Sequence, residues 1–195
     1  MKLLALLVAA LLPLVATAET IATYSKNVAN LIDPAKLATL GKRGANPRVQ
    51  KAVAILEIAR REGYAVASVA SNAVVIANYP NKPLATLTLD SLTRNHSIAT
   101  QLGVLNEAGL KDMRGGHSPT IQVGKYKGDE LSVDHIVPRA VAPELDNVIA
   151  NLELMPLKMN ISKSAKMGAR QQDYAKRFRA AGLLSPKRLD VILSR

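Results

Sequence analysis

Leu131-Ser132-Val133-Asp134-His135-Ile136-Val137-Pro138, then Asn151-Leu152-Glu153-Leu154-Met155, then Lys158-Met159-Asn160-Ile161-Ser162-Lys163: these three stretches decide the fold. Residues 131–137 alternate apolar and polar side chains, as a strand with one buried face does, and Pro138 ends the run. Residues 139–150 have the character of a loop, 152–155 form a second short strand, and 158–167 read as a helix. The expected order is strand, loop, strand, helix.

Polar residues fall on this pattern at regular places. Asp134-His135-Ile136-Val137-Pro138 closes the first strand, Asn151-Leu152-Glu153-Leu154 opens the second, and Asn160-Ile161-Ser162-Lys163 lies on the helix. Sixteen positions separate His135 from Asn151, and nine separate Asn151 from Asn160. This set resembles the HNH (ββα-metal) endonuclease family, over roughly residues 114–167. Five matched elements in order are more specific than a lone Asp-His. The resemblance implies a catalytic base at His135, metal ligands at Asp134 and Asn160, and a loop-holding role for Asn151. It says nothing about residues 19–110.

The chemistry asks for the same residue types. Phosphodiester hydrolysis needs a water deprotonated near neutral pH, and an imidazole with an ordinary pKa of about 6.5 suits that task. It also needs a cation to offset charge on the phosphate and the departing oxygen, held by a carboxylate and a ligand from a facing element. Asp134 and Asn160 fit that description. Successive strand residues point to opposite faces, so Asp134 and His135 serve one centre only if the strand end is twisted or bent. Arg139, Lys158, Lys163 and Lys166 form a group of candidate phosphate contacts, although each also fits a solvated basic surface. His117 is a candidate accessory residue, and His96 reads as a helix surface residue. Asp134-His135 also suits a hydrogen-bonded hairpin pair without catalysis, and Asn147 and Asn151 suit ordinary loop and strand-cap use.

Two features depart from the family pattern. The last ligand position holds Asn160 in place of His, so the protein ligands are all oxygen and the expected cation is Mg²⁺ or Mn²⁺, with Ca²⁺ as a further candidate. Pro156 and Met159 stand where many relatives carry cysteines for a structural zinc, and the chain has no cysteine, so no structural zinc is expected.

Upstream, residues 114–119 read as a glycine-rich turn, 120–123 as a short strand and 125–129 as a reversal that makes a hairpin with the strand at 131. Residues 19–110 are rich in Ala, Val and Leu at helical spacing. One helix is expected from Asn46-Pro47 to Glu62, and another beginning after Asp90 or Ser91 and running to Glu107, closed by Gly109. Residues 64–76 suit strand or helix, 79–83 a loop, and Gly41-Lys42-Arg43-Gly44 a basic turn. Downstream, one helix is expected over 169–181, and a last one capped by Ser185-Pro186.

The first residues read as an address. Met1-Lys2, an apolar run over 3–15 and Ala16-Thr17-Ala18 have the form of an export signal cleaved near Ala18. The apolar run is shorter than the roughly 20 residues of a membrane-crossing helix. The formal net charge of +11, from 26 Lys and Arg against 15 Asp and Glu, suits a polyanionic partner. The expectation is a mainly helical α+β protein with a signal peptide (1–18), a helical N-terminal region (19–110) and an HNH module with C-terminal helices (111–195). Its expected activity is metal-dependent cleavage of DNA in the periplasm or outside the cell. The alternative is a non-catalytic basic protein that binds nucleic acid or an envelope surface. A secreted antibacterial toxin uses the same chemistry, but the transport signals usual for one are not evident.

Overall fold

The structure, a computed structural model, describes residues 20–194, and the expected export segment lies outside them. It is a mainly helical α+β fold with a single two-stranded antiparallel sheet among the described residues. Helices α1 (Ile21–Ile32), α2 (Pro34–Ala38), α3 (Asn46–Arg61), α4 (Val66–Ile76), α5 (Lys82–Gln101) and α6 (Glu107–Gly115) precede strands β1 (Leu131–His135) and β2 (Leu152–Pro156). Helices α7 (Leu157–Lys163), α8 (Ala169–Ala180) and α9 (Pro186–Leu193) follow. No described helix is long and apolar enough to cross a membrane.

Local chemistry sets most boundaries. Asn81 accepts a hydrogen bond from Leu84 N and Pro83 sits in the first turn, so α5 begins at Lys82, well before the start expected after Asp90 or Ser91. The stretch expected as a loop at 79–83 is therefore partly a helix cap. The same helix stops at Gln101, because Gly103 turns the chain with φ +66. Gly109, expected to close that helix, instead lies inside α6, where a Cβ would stand 1.9 Å from Val104 O. Residues 66–76, open between strand and helix in sequence, are helical. Ser185 caps α9, with Pro186 in its first turn, as expected.

The expected hairpin between 120–123 and 131–137 reduces to one bridge, Thr120 with Glu130. Ile121 N donates to Asp129 O and Gly128 N to Ile121 O, closing the reversal around a 3-10 turn at Gly124–Tyr126. The partner of β1 is β2, in register Leu131↔Pro156 through His135↔Leu152. Asp129 Oδ2 accepts from Lys158 N and so serves α7, which has no side-chain cap of its own.

One face of the sheet carries Leu131, Val133, His135, Leu152 and Leu154, and its leucines enter a core shared with α1, α3, α4, α5 and α6. A second core joins Leu84 and Leu87 of α5, Val137, Val141 and Leu145 of the β1–β2 connection, and Phe178 and Ile192 of α8 and α9. Helix α5 contributes to both. It also closes the open edge of β2: Leu154 N donates to Asn95 Oδ1 at 2.7 Å, and Asn95 Nδ2 to Leu152 O at 2.9 Å. Ser91 Oγ reaches the carbonyls of Ile149 and Leu152. An isolated two-stranded ribbon is marginal in water, and these bonds replace a third strand.

Candidate active site at the end of β1

His135 lies at the C-terminal end of β1 and is 5 % exposed. Its Nε2 is 3.0 Å from both the carbonyl O and the Oδ1 of Asp146 in the connection. A carbonyl oxygen only accepts, so Nε2 carries the proton and the lone pair of the neutral ring sits on Nδ1. Nδ1 makes no hydrogen bond and is not sealed from solvent. The ring is thus oriented by a carboxylate on one side and has an open basic nitrogen on the other. Sequence reading missed Asp146: it belongs to no local pattern, and eleven positions of irregular chain separate it from His135.

The connection is itself held in place. Asn151 is fully buried, and its Oδ1 accepts from Val137 N at 2.8 Å while its Nδ2 donates to Val137 O and Leu145 O. From the N-terminal region, Arg43 N donates to Asp146 Oδ2 and Ala45 N to Asn147 Oδ1, and Asn147 Nδ2 returns bonds to Leu40 O and Gly41 O. The basic turn at 41–44 therefore grips the tip of the connection with its backbone. A substitution at Asn147 or Asp146 acts on two regions far apart in sequence.

The other face of the sheet carries Ser132, Asp134, Glu153 and Met155 toward the C-terminal helices. Strand alternation separates the Asp134 and His135 side chains, and Lys163 of α7 links the two residues. Its Nζ donates to Asp134 Oδ2 and to His135 O, each at 2.7 Å. Asn160, one turn earlier, donates through Nδ2 to Ser132 Oγ at 3.2 Å. Asp134 Oδ1 and Asn160 Oδ1 make no hydrogen bond to protein, and neither is sealed. Both are hard oxygen donors and suit a hard divalent cation completed by water. No group of three or more His, Cys, Asp or Glu among the described residues is placed to hold a metal. A cation here would thus be held by few protein ligands, next to the ammonium of Lys163.

Glu153 was not singled out in sequence. Ile136 N donates to Asn151 O, and the alternation of an antiparallel ladder makes Asp134 and Glu153 the next hydrogen-bonded pair, with Cα atoms about 5.5 Å apart. Two carboxylates side by side on one face repel. Cations offset this: Lys163 on Asp134, and Arg94 and Arg170 on Glu153. The Glu153 carboxylate in turn holds the Arg170 pKa above its ordinary value, against the effect of burial.

The remaining candidates scatter. Lys158 and Lys166 are exposed, Arg139 is half-buried with a sealed Nε that has no hydrogen-bond partner, and Lys163 is engaged internally. His117 is exposed just beyond α6, and no bond joins it to the Asp134 or His135 side chains. His96 is not a surface residue: it is 8 % exposed and its Nε2 lies 2.9 Å from Glu57 Oε2. Glu57 also accepts from Arg60 and Arg61, in a cluster between α3 and α5. Burial raises the Glu57 pKa, but the bonds from Arg60, His96 and Arg61 outweigh it and bring the carboxyl down to about 2. Comparison of the chain with protein-family models, curated proteins and solved structures returns no match, so what this site can do rests on its own geometry.

Proposed function

We propose that the chain is a metal-dependent endonuclease of the HNH (ββα-metal) type that hydrolyses phosphodiester bonds of DNA. The observation that carries this reading is the His135–Asp146 pair, which fixes the imidazole with Nε2 as donor and leaves Nδ1 as an open base. Asp134 and Asn160 lie on the opposite face of the strand from His135, so the reading needs a phosphodiester that spans the end of β1, with the cation on one side and the base on the other. His135 Nδ1 takes the proton of the attacking water, and the imidazolium that forms is stabilised by the Asp146 carboxylate on its other nitrogen. Asn151 holds the connection and hence Asp146. Asp134 and Asn160 are the residues that would hold a divalent cation, which when bound supplies positive charge to the scissile phosphate and the departing oxygen. The reading places the activity outside the cytoplasm, on the strength of the N-terminal segment.

One observation favours a second reading. Lys163 already neutralises Asp134, as it would in a protein that binds nucleic acid or an anionic envelope surface through charge alone and has no use for a metal. The two part on plasmid nicking by the purified protein in Mg²⁺, Mn²⁺, Ca²⁺ or chelator, beside His135→Ala. Metal-dependent nicking that disappears in His135→Ala supports the endonuclease. Equal nicking by both proteins rejects His135 as the base, and no nicking with salt-sensitive DNA binding supports the second reading.

A further inference from the structure

Helix α8 presents Arg170, Tyr174 and Arg177 at positions i, i+4 and i+7, on one face. The guanidinium carbons of Arg170 and Arg177 lie 5.5 and 5.2 Å from the centre of the Tyr174 ring, and Arg94 of α5 lies 5.6 Å from it. Three cations around one phenol repel each other unless anions are near. The carboxylates that pair with them are Glu153, with Arg94 and Arg170, and the half-exposed Asp90, 3.4 Å from Arg177. One positive charge is left over. The donors are unevenly used: Arg94 Nε faces Glu153 Oε1 at 3.0 Å while its sealed Nη2 makes no hydrogen bond, Arg170 shares both Nη atoms with Glu153, and Arg177 uses only Nη2. Beside Arg177, a groove of about 380 Å³ lined by Lys82 and Leu87 extends the basic surface along α5. Glu153 stands directly across the ladder from Asp134, so this surface begins one strand away from the candidate active site.

We propose that the arginines around Tyr174 form the landing surface for the backbone of the nucleic acid, with Arg170 and Arg177 each contacting a phosphate. This rests on the nuclease reading and replaces the group Arg139, Lys158, Lys163 and Lys166 as the main anchor. Guanidinium groups bind phosphate oxygens in a fixed fork, and Tyr174 holds the forks apart and oriented. With arginines gathered about the ring, the array reads charge and spacing in place of bases, so binding is indifferent to sequence.

The test is fluorescence anisotropy with a labelled DNA duplex, in chelator so that nothing is cut, across a series of NaCl concentrations. The variants are Arg177→Gln, Arg170→Gln, their combination, and Lys26→Gln on the exposed side of α1 as a control of equal charge. The double variant is expected to bind about tenfold more weakly, and its slope of log affinity against log salt should fall by about two, since each phosphate contact contributes about 0.9. Lys26→Gln should match the parent protein. If Arg170→Gln unfolds the protein, Arg177→Gln alone, which gives up the exposed pair with Asp90 and the contact with the Tyr174 ring, should lower the slope by about one. A parent that binds DNA and a double variant with the same affinity and slope would overturn the landing surface and leave the nuclease reading standing. A parent with no affinity for DNA would sink both, and binding to anionic lipid vesicles in its place would assign the array to a membrane surface.

Discussion

His135 has one nitrogen committed and one free, and that asymmetry is the most informative property of the site. The committed side depends on Asp146, so the structure makes a prediction at one residue. Asp146→Ala keeps the carbonyl acceptor but loses the carboxylate that stabilises the imidazolium. Nicking should fall by about 10- to 100-fold, the usual effect of losing an orienting partner. The melting temperature of Asp146→Ala should fall only modestly, and unchanged nicking rates would show that the carboxylate has no part in the chemistry. The candidate site residues were legible in sequence where they sit on a strand or helix with a period, as Asp134, His135 and Asn160 do. Asp146 was not, because an irregular loop has no period to place it. In sequence Glu153 is only a position between two leucines. Only the register, which sequence does not state, puts it beside Asp134. His96 was misread for a related reason: it lies on a helix face that α3 covers, and the cover is a carboxylate 39 positions away.

At the scale of elements, the sheet is held by a helix. Asn95 and Ser91 of α5 satisfy the backbone of β2 and of the turn before it, which are buried and would otherwise lack partners. Asn95→Ala should destabilise the protein by about 1–3 kcal/mol, because it strands Leu154 N without water and leaves Leu152 O only the longer bond from Ser91 Oγ. A loss of unfolding free energy in a urea titration of less than a quarter of that would mean the edge finds other partners. Helix α7 ends just past Lys163 at Ser164, with φ 49 and ψ −138, a conformation that side chains disfavour. Ser164→Gly should therefore stabilise the protein by roughly 0.5–1 kcal/mol, read by the same titration. The order strand, loop, strand, helix was readable from the alternation at 131–137, from Pro138 and from the apolar 152–155 run. The start of α5 was not, since Tyr79-Pro80-Asn81-Lys82-Pro83 reads as a loop until Asn81 is recognised as a cap and Pro83 as its first turn.

For the whole molecule, ion clusters join helices that also share a core. Glu57 joins α3 to α5 through His96, and Arg61 extends the cluster to Glu107 of α6. Its folded pKa of about 2 lies below the ordinary 4.5, so its contribution to stability is present above pH 4.5 and is lost as the pH falls from there toward 2. The full size is on the order of 3 kcal/mol. Glu57→Gln should remove that part of the acid limb in a plot of unfolding free energy against pH, and a parallel pair of curves would exclude Glu57 as its source. The grip of the Arg43 turn on Asp146 spans 103 positions of chain. Closing so long a loop belongs to the late events of folding. The Asp146 carboxylate that orients the imidazole is thus seated by backbone from 103 positions upstream, and a molecule in which those two regions have not docked carries His135 beside an unanchored partner.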